Sequence, residues 1–176
     1  TEPSSCRTPL TFSVSLIWFN RGEVFTSVPL QYPPMIYLAL RLAGIAIARA
    51  RAAVPDWFGI RPRADCVVVV MPAHEERHST IAYYRQPAMD GSRPGQYAIN
   101  TYDPTTRPRY EAQALAFHAA IPGHHLQLAI SQELTDLPDL RRHNGPTAYV
   151  EGWGLYTERL SDEMGLYSGD LDRIGV

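Results

Sequence analysis

Phe117-His118-Ala119-Ala120-Ile121-Pro122-Gly123-His124-His125-Leu126-Gln127 is the stretch on which the reading of this chain turns. It lies inside Arg109–Leu134, where Leu115, Phe117, Ile121, Leu126, Leu128 and Ile130 recur with helical spacing. Three of the six histidines sit in this stretch among apolar neighbours, where a solvated imidazole is out of place. Pro and Gly cost roughly 3 and 1 kcal/mol in a helix interior, so Pro122-Gly123 predicts a local distortion. In an unbroken helix His125 would lie within about 20° of His118, whereas a distorted turn presents His124 instead. The plain alternative is a group of core histidines hydrogen-bonded to carboxylates.

A carboxylate source follows. Thr147–Met164 reads as a second helix with Gly165 as its C-cap, and Glu151 and Glu158, seven apart, share one face. Gly152 and Gly154 weaken this helix but permit close approach of another element or a ligand. Two histidines from one helix and a glutamate from the next form the N/N/O donor set of a catalytic zinc site with one open position.

Further out, Pro34–Val54 reads as a long helix stopped by Pro55-Asp56, and Cys66–Met71 as a buried β-branched strand. Ile81–Gln86 and Gln96–Tyr102 flank the turn Asp90–Gly95 and predict an antiparallel hairpin. Ser13–Phe19 is strand-like within a poorly patterned start. The expected organisation is an N-terminal segment, 1–60, leading into a metal-site region, 61–176, as one compact unit. The fold class expected is α+β, mainly helical, with a small antiparallel sheet beside the metal-binding helix.

Composition narrows the chemistry. The 176 residues carry 16 basic side chains, all arginine, so Schiff-base, pyridoxal-phosphate and P-loop lysine mechanisms are excluded. Acids and bases are interspersed at a net charge of −2, which argues against a nucleic-acid partner. Cys6 and Cys66 make no metal spacing and are expected as free thiols. No stretch reads as a signal peptide or membrane span, so a cytoplasmic protein is expected, with oligomerisation left open.

The literal H-E-x-x-H pattern occurs elsewhere, at His74-Glu75-Glu76-Arg77-His78. Its i,i+4 histidines would share a helix face, which is why zinc proteases use it. Here it follows a strand and Pro72, carries charged inner positions and runs into the next strand, so a solvated turn is expected instead.

Four segments, DGSRPGQYAIN (90–100), FHAAIPGHHLQ (117–127), TAYVEGWGLYTERL (147–160) and DEMGLY (162–167), together resemble a bacterial domain-of-unknown-function family of gluzincin-type metallopeptidases with a HEA-x-PGHH signature. The resemblance covers about two-thirds of the chain. It implies a zincin-like α+β fold and zinc held by His118, His124 and Glu151, with His125 as a neighbour or alternative ligand. It implies a peptide or small-molecule substrate. The family pattern places glutamate, the general base, where this chain has Ala119. Such a base contributes about 10²–10⁴-fold, so hydrolysis is expected to be impaired while metal binding survives. Glu158 is the substitute base to consider. Tyr149, Tyr97 and Arg93 are stand-ins for oxyanion or substrate contacts, because family members are usually longer and carry such groups downstream. The alternatives are a non-hydrolytic binding protein or pseudoenzyme, or a lyase or cyclase using the same cavity.

Overall fold

The computed structural model describes residues 34–176. Helix α1, Pro34–Trp57, exists because Ile36, Leu40, Ala43, Ala46, Ile47, Ala50 and Val54 repeat every three to four positions, and all are buried. Proline does not stop it where expected. Pro55 sits in the last turn, where its missing N–H forfeits a single bond, and Phe58 N–H still reaches the Val54 carbonyl at 2.9 Å. Two arginines flank the apolar stripe and tie α1 to residues 65–66 and to residues 166–168. Arg49 donates to the Leu166 carbonyl and the Ser168 hydroxyl, and Arg51 to Asp65 and the Cys66 carbonyl.

The strands are β1, Cys66–Val70, β2, Ala82–Arg85, and β3, Gly95–Ile99, with the one-turn helix α2, Ala73–Glu76, between the first two. The hairpin β2–β3 forms as expected, with Tyr84 opposite Tyr97. The sheet is nevertheless mixed, not antiparallel: its order is β1-β3-β2 and β1 runs parallel to β3, Cys66 beside Gly95. A parallel pair needs a crossover, and here α2 and β2 supply it. Cys66 is a buried free thiol, and burial pushes its pKa up to about 12. Cys6 and the strand-like run Ser13–Phe19 lie outside the described residues.

After a 3-10 turn at Pro104–Thr106 come α3, Glu111–Ala119, α4, His124–Glu133, α5, Asp139–His143, α6, Thr147–Glu163, and α7, Asp170–Arg173. The expected helix over 109–134 is therefore two helices, broken at Ala120–Gly123, with a cis Ile121–Pro122 bond in the break. The C-terminus of α6 is as expected. Gly165 takes φ +69°, and the N–H groups of Gly165 and Leu166 return to the carbonyls of Asp162 and Ser161, both at 2.9 Å.

The fold class is α+β. The core sits where α1, the sheet and α3 meet, and Phe117, fully buried, stacks edge-on against Tyr167 at 5.0 Å. Helix α3 thus lies in the core with its last turn, His118 and Ala119, directed toward α6. Among the described residues no helix is long and apolar enough to cross a membrane.

Candidate metal centre

The break between α3 and α4 is held by its own backbone and by one indole. A Cβ on Gly123 would lie 1.7 Å from the His118 carbonyl oxygen, so no larger residue fits this turn. His125 N–H bonds the Ala120 carbonyl at 3.0 Å, closing the turn. From α6, Trp153 directs its indole N–H at the carbonyls of both Pro122 and Gly123, at 3.1 Å each. The Gly123 carbonyl also accepts the first α4 bond, from Gln127 N–H at 3.2 Å, whereas the Pro122 carbonyl takes its donor from the indole.

Folded this way, the turn brings His118 and His124 together, their rings edge to face with centroids 4.7 Å apart. Glu151 of α6 stands over both: its carboxylate is 3.2 Å from His118 Nε2 and 3.8 Å from His124 Nε2. Ligand atoms of His118, His124 and Glu151 all lie within 4.8 Å of one another. Tetrahedral zinc with about 2.0–2.1 Å bonds needs donors roughly 3.4 Å apart, so a modest contraction would close the set around one ion. The donor chemistry also fits. His118 Nδ1 faces Glu158 at 2.6 Å, which leaves Nε2 for a metal and gives the ring a carboxylate behind it. His124 Nδ1 is buried without a hydrogen-bond partner.

Charge placement separates the two imidazoles. The hydrogen bond to Glu158 raises the His118 pKa above its ordinary value, against the opposing pull of burial, with Glu151 adding to the rise. Burial lowers that of His124, and the neighbouring His118 lowers it further. Burial, helped by the Arg51 charge, pushes His125 down to about 4 against the bond to the Ala64 carbonyl.

Gly154 explains why α6 can approach so closely. A Cβ there would sit 2.5 Å from His118 Cε1, so this glycine provides the room for the imidazole. Gly152, by contrast, has nothing within 4 Å of its would-be Cβ and no packing reason among the described residues.

The remaining candidates fall in different places. His125, 2% exposed, points away from the cluster: its Nδ1 meets Tyr84 Oη at 2.8 Å and its Nε2 the Ala64 carbonyl at 3.1 Å. Ala119 is buried beside His118 and supplies no proton acceptor. Glu158, considered as a substitute base, is 17% exposed and occupied by His118 Nδ1. Tyr149 is exposed on the first turn of α6, where its carbonyl accepts from Gln127. Tyr97, 1% exposed, is packed in the core. Arg93 is half-buried beside a cleft of about 610 Å³ between Tyr83–Gln86 and the α4 residues Leu128 and Gln132. The H-E-x-x-H pattern folds as one helical turn, with the His74 side chain 81% exposed, and contributes to no three-residue metal cluster among the described residues. Trp153 was not expected at the site, although the Glu-Gly-Trp run marks its position.

The fold and the cluster define an α+β protein with a two-histidine, one-carboxylate centre between a broken helix pair and α6. A family described as "Bacterial protein of unknown function (DUF885)" matches residues 39–176, and the chain belongs to it. That description assigns no chemistry and does not indicate a gluzincin metallopeptidase family, which corrects that part of the resemblance. The chain is 34% identical to a solved structure described as a "putative lipoprotein from Colwellia psychrerythraea", with a TM-score of 0.73 over 80% of this chain and 24% of that one. A structure described as a "putative lipoprotein of unknown function from Shewanella oneidensis" is 20% identical, with a TM-score of 0.42, over 83% of this chain and 31% of that one. The chain thus spans about a quarter to a third of the length of these relatives. No curated protein matches it.

Proposed function

We propose that this chain carries a mononuclear zinc site of metallohydrolase type, built for peptide or amide substrates and impaired in turnover. The observation that carries this reading is the convergence of His118 Nε2, His124 and Glu151 within 4.8 Å, with Glu158 behind His118. A bound zinc ion would supply Lewis acidity toward a carbonyl and a water. The chain's own residues then have distinct tasks. Glu158 accepts the His118 Nδ1 proton and fixes the tautomer that leaves Nε2 unprotonated. Trp153 and Gly154 hold the rings in place. Ala119 offers no base, Glu158 is taken by His118 Nδ1 and Glu151 would be a metal ligand, which supports slow or absent hydrolysis.

An extended peptide is the substrate shape favoured by β2. Asn100 N–H bonds the Ile81 carbonyl at 3.0 Å, so the hydrogen-bonded pairs fall at 81, 83 and 85. Tyr84 therefore turns its backbone groups outward at the edge of the cleft that Leu128 and Gln132 of α4 also line, while the Ala82 carbonyl on the same edge accepts from Thr80 Oγ1 at 2.8 Å. The missing base supports a second reading, a binding protein that holds such a ligand without turning it over. The lipoprotein description of the Colwellia psychrerythraea structure supports attachment to the cell envelope over the cytoplasmic location expected from the sequence.

The test is Ala119→Glu in zinc-loaded protein, assayed on a peptide library beside the unaltered chain. Hydrolysis gained by about 10²-fold or more supports a hydrolase site lacking its base. Zinc bound with no hydrolysis in either protein removes the hydrolase reading and leaves the binding one.

A further inference from the structure

We propose that Tyr84 and His125 form a positioning pair that fixes the first turn of α4, and with it the metal-facing ring of His124. This rests on the metal-centre reading above. His124 and His125 are adjacent on that turn, so their side chains diverge by about 100°: one faces the cluster and the other the sheet. His125 is locked from both sides. The Ala64 carbonyl only accepts, so His125 Nε2–H donates to it at 3.1 Å. Nδ1 is then the acceptor, and the Tyr84 hydroxyl donates to it at 2.8 Å. An imidazole with both nitrogens bonded and 2% exposure has one orientation available.

The sheet is cut to receive this pair. A Cβ on Gly95 would lie 2.6 Å from His125 Nδ1 and 2.7 Å from Tyr84 Oη, so the bare backbone at the start of β3 creates the space. Helix α4 needs the tether because it starts directly after the break with no side-chain cap of its own. Trp153 holds that break from the α6 side, and Tyr84–His125 holds it from the sheet side. Tyr84 also lies on the edge strand that lines the cleft, so a ligand seated there is one hydrogen bond from the residue beside a metal ligand.

The experiment titrates the metal-free chain with cobalt(II) and records affinity and the visible ligand-field band for the unaltered chain, Tyr84→Phe, Gly95→Ala and Ile47→Ala. Tyr84→Phe removes the donor, and Gly95→Ala wedges the pair apart with both polar groups intact. Ile47→Ala destabilises the core from α1 and leaves both hydrogen-bonding side chains of the pair unaltered. Partners behind metal ligands typically contribute 10–100-fold in affinity, so Tyr84→Phe and Gly95→Ala should each weaken cobalt binding about ten-fold and shift the band. Ile47→Ala should lower the thermal midpoint and leave both readouts unchanged. An unchanged affinity and band in Tyr84→Phe, or the same changes in Ile47→Ala, overturns the positioning role while cobalt binding by the unaltered chain leaves the metal centre standing. No cobalt binding by the unaltered chain overturns the metal reading itself, and the positioning role with it.

Discussion

Two histidine pairs in this chain offer themselves to a metal, and they differ in almost everything except composition. His74 and His78 have the i,i+4 spacing that suits one helix face, yet the helix is one turn long and His74 is exposed. His118 and His124 have a spacing that no regular helix brings together, yet they meet edge to face against Glu151. The difference lies in what surrounds them. The second pair has a broken helix closed by Gly123, an indole holding the break, a glycine making room for one ring and a carboxylate behind it. Spacing separates the two pairs less well than the packing around them does.

That contrast is broken or sharpened by substitutions in both regions. Gly123→Ala should have the largest effect, several kcal/mol, because the new methyl would meet backbone at 1.7 Å and not a movable side chain. Chemical denaturation reads it. Gly152→Ala, with open space around it in the same metal-site region, should instead stabilise by about 0.5–1 kcal/mol. Equal effects at the two glycines would mean that the turn is not constrained as described.

Glu158→Gln should weaken zinc affinity by roughly 10–100-fold, measured with a competing chelator dye. It should also move the pH dependence. In the unaltered chain the Glu158 hydrogen bond raises the His118 pKa above its ordinary value, so protons compete with a metal at higher pH than they would for an unpaired imidazole. Affinity therefore falls as pH drops through that raised value, while competition at His124, whose pKa is lowered, begins at lower pH. Removing the Glu158 charge should shift the onset to lower pH. An onset that stays in place would separate Glu158 from His118.

Trp153→Phe keeps the ring's bulk and deletes two hydrogen bonds to the break, for about 1–2 kcal/mol in thermal or denaturant unfolding. The smallest effect belongs to the other pair. His74→Ala with His78→Ala should change stability by no more than about 0.5 kcal/mol, as for surface positions generally, and leave metal affinity untouched.

Much of this architecture was legible in the sequence where interactions are local. The apolar stripe of α1, the β-branched run of β1, the hairpin about residues 90–95 and the Gly165 cap of α6 all follow from short-range pattern. The interruption at Pro122-Gly123 was legible too, because both residues oppose a helix interior. What escaped depends on contacts distant in sequence. The parallel pairing of β1 with β3 leaves no local mark, so the sheet was expected to be antiparallel. Trp153 reads as an ordinary buried aromatic until the break is seen beneath its indole N–H. His125 looks interchangeable with His124 in sequence, and only Tyr84 and the Ala64 carbonyl, 41 and 61 positions away, separate them. Tyr97 looked available from its hairpin position, but it is packed into the core cluster.

Equilibrium dialysis against zinc at neutral pH, followed by elemental analysis, tests the central claim most directly, in the unaltered chain, in His118→Ala and in the His74→Ala, His78→Ala double variant. One zinc per chain, lost in His118→Ala and retained in the double variant, is the predicted result. No zinc in the unaltered chain, or zinc lost in the double variant alone, would contradict it.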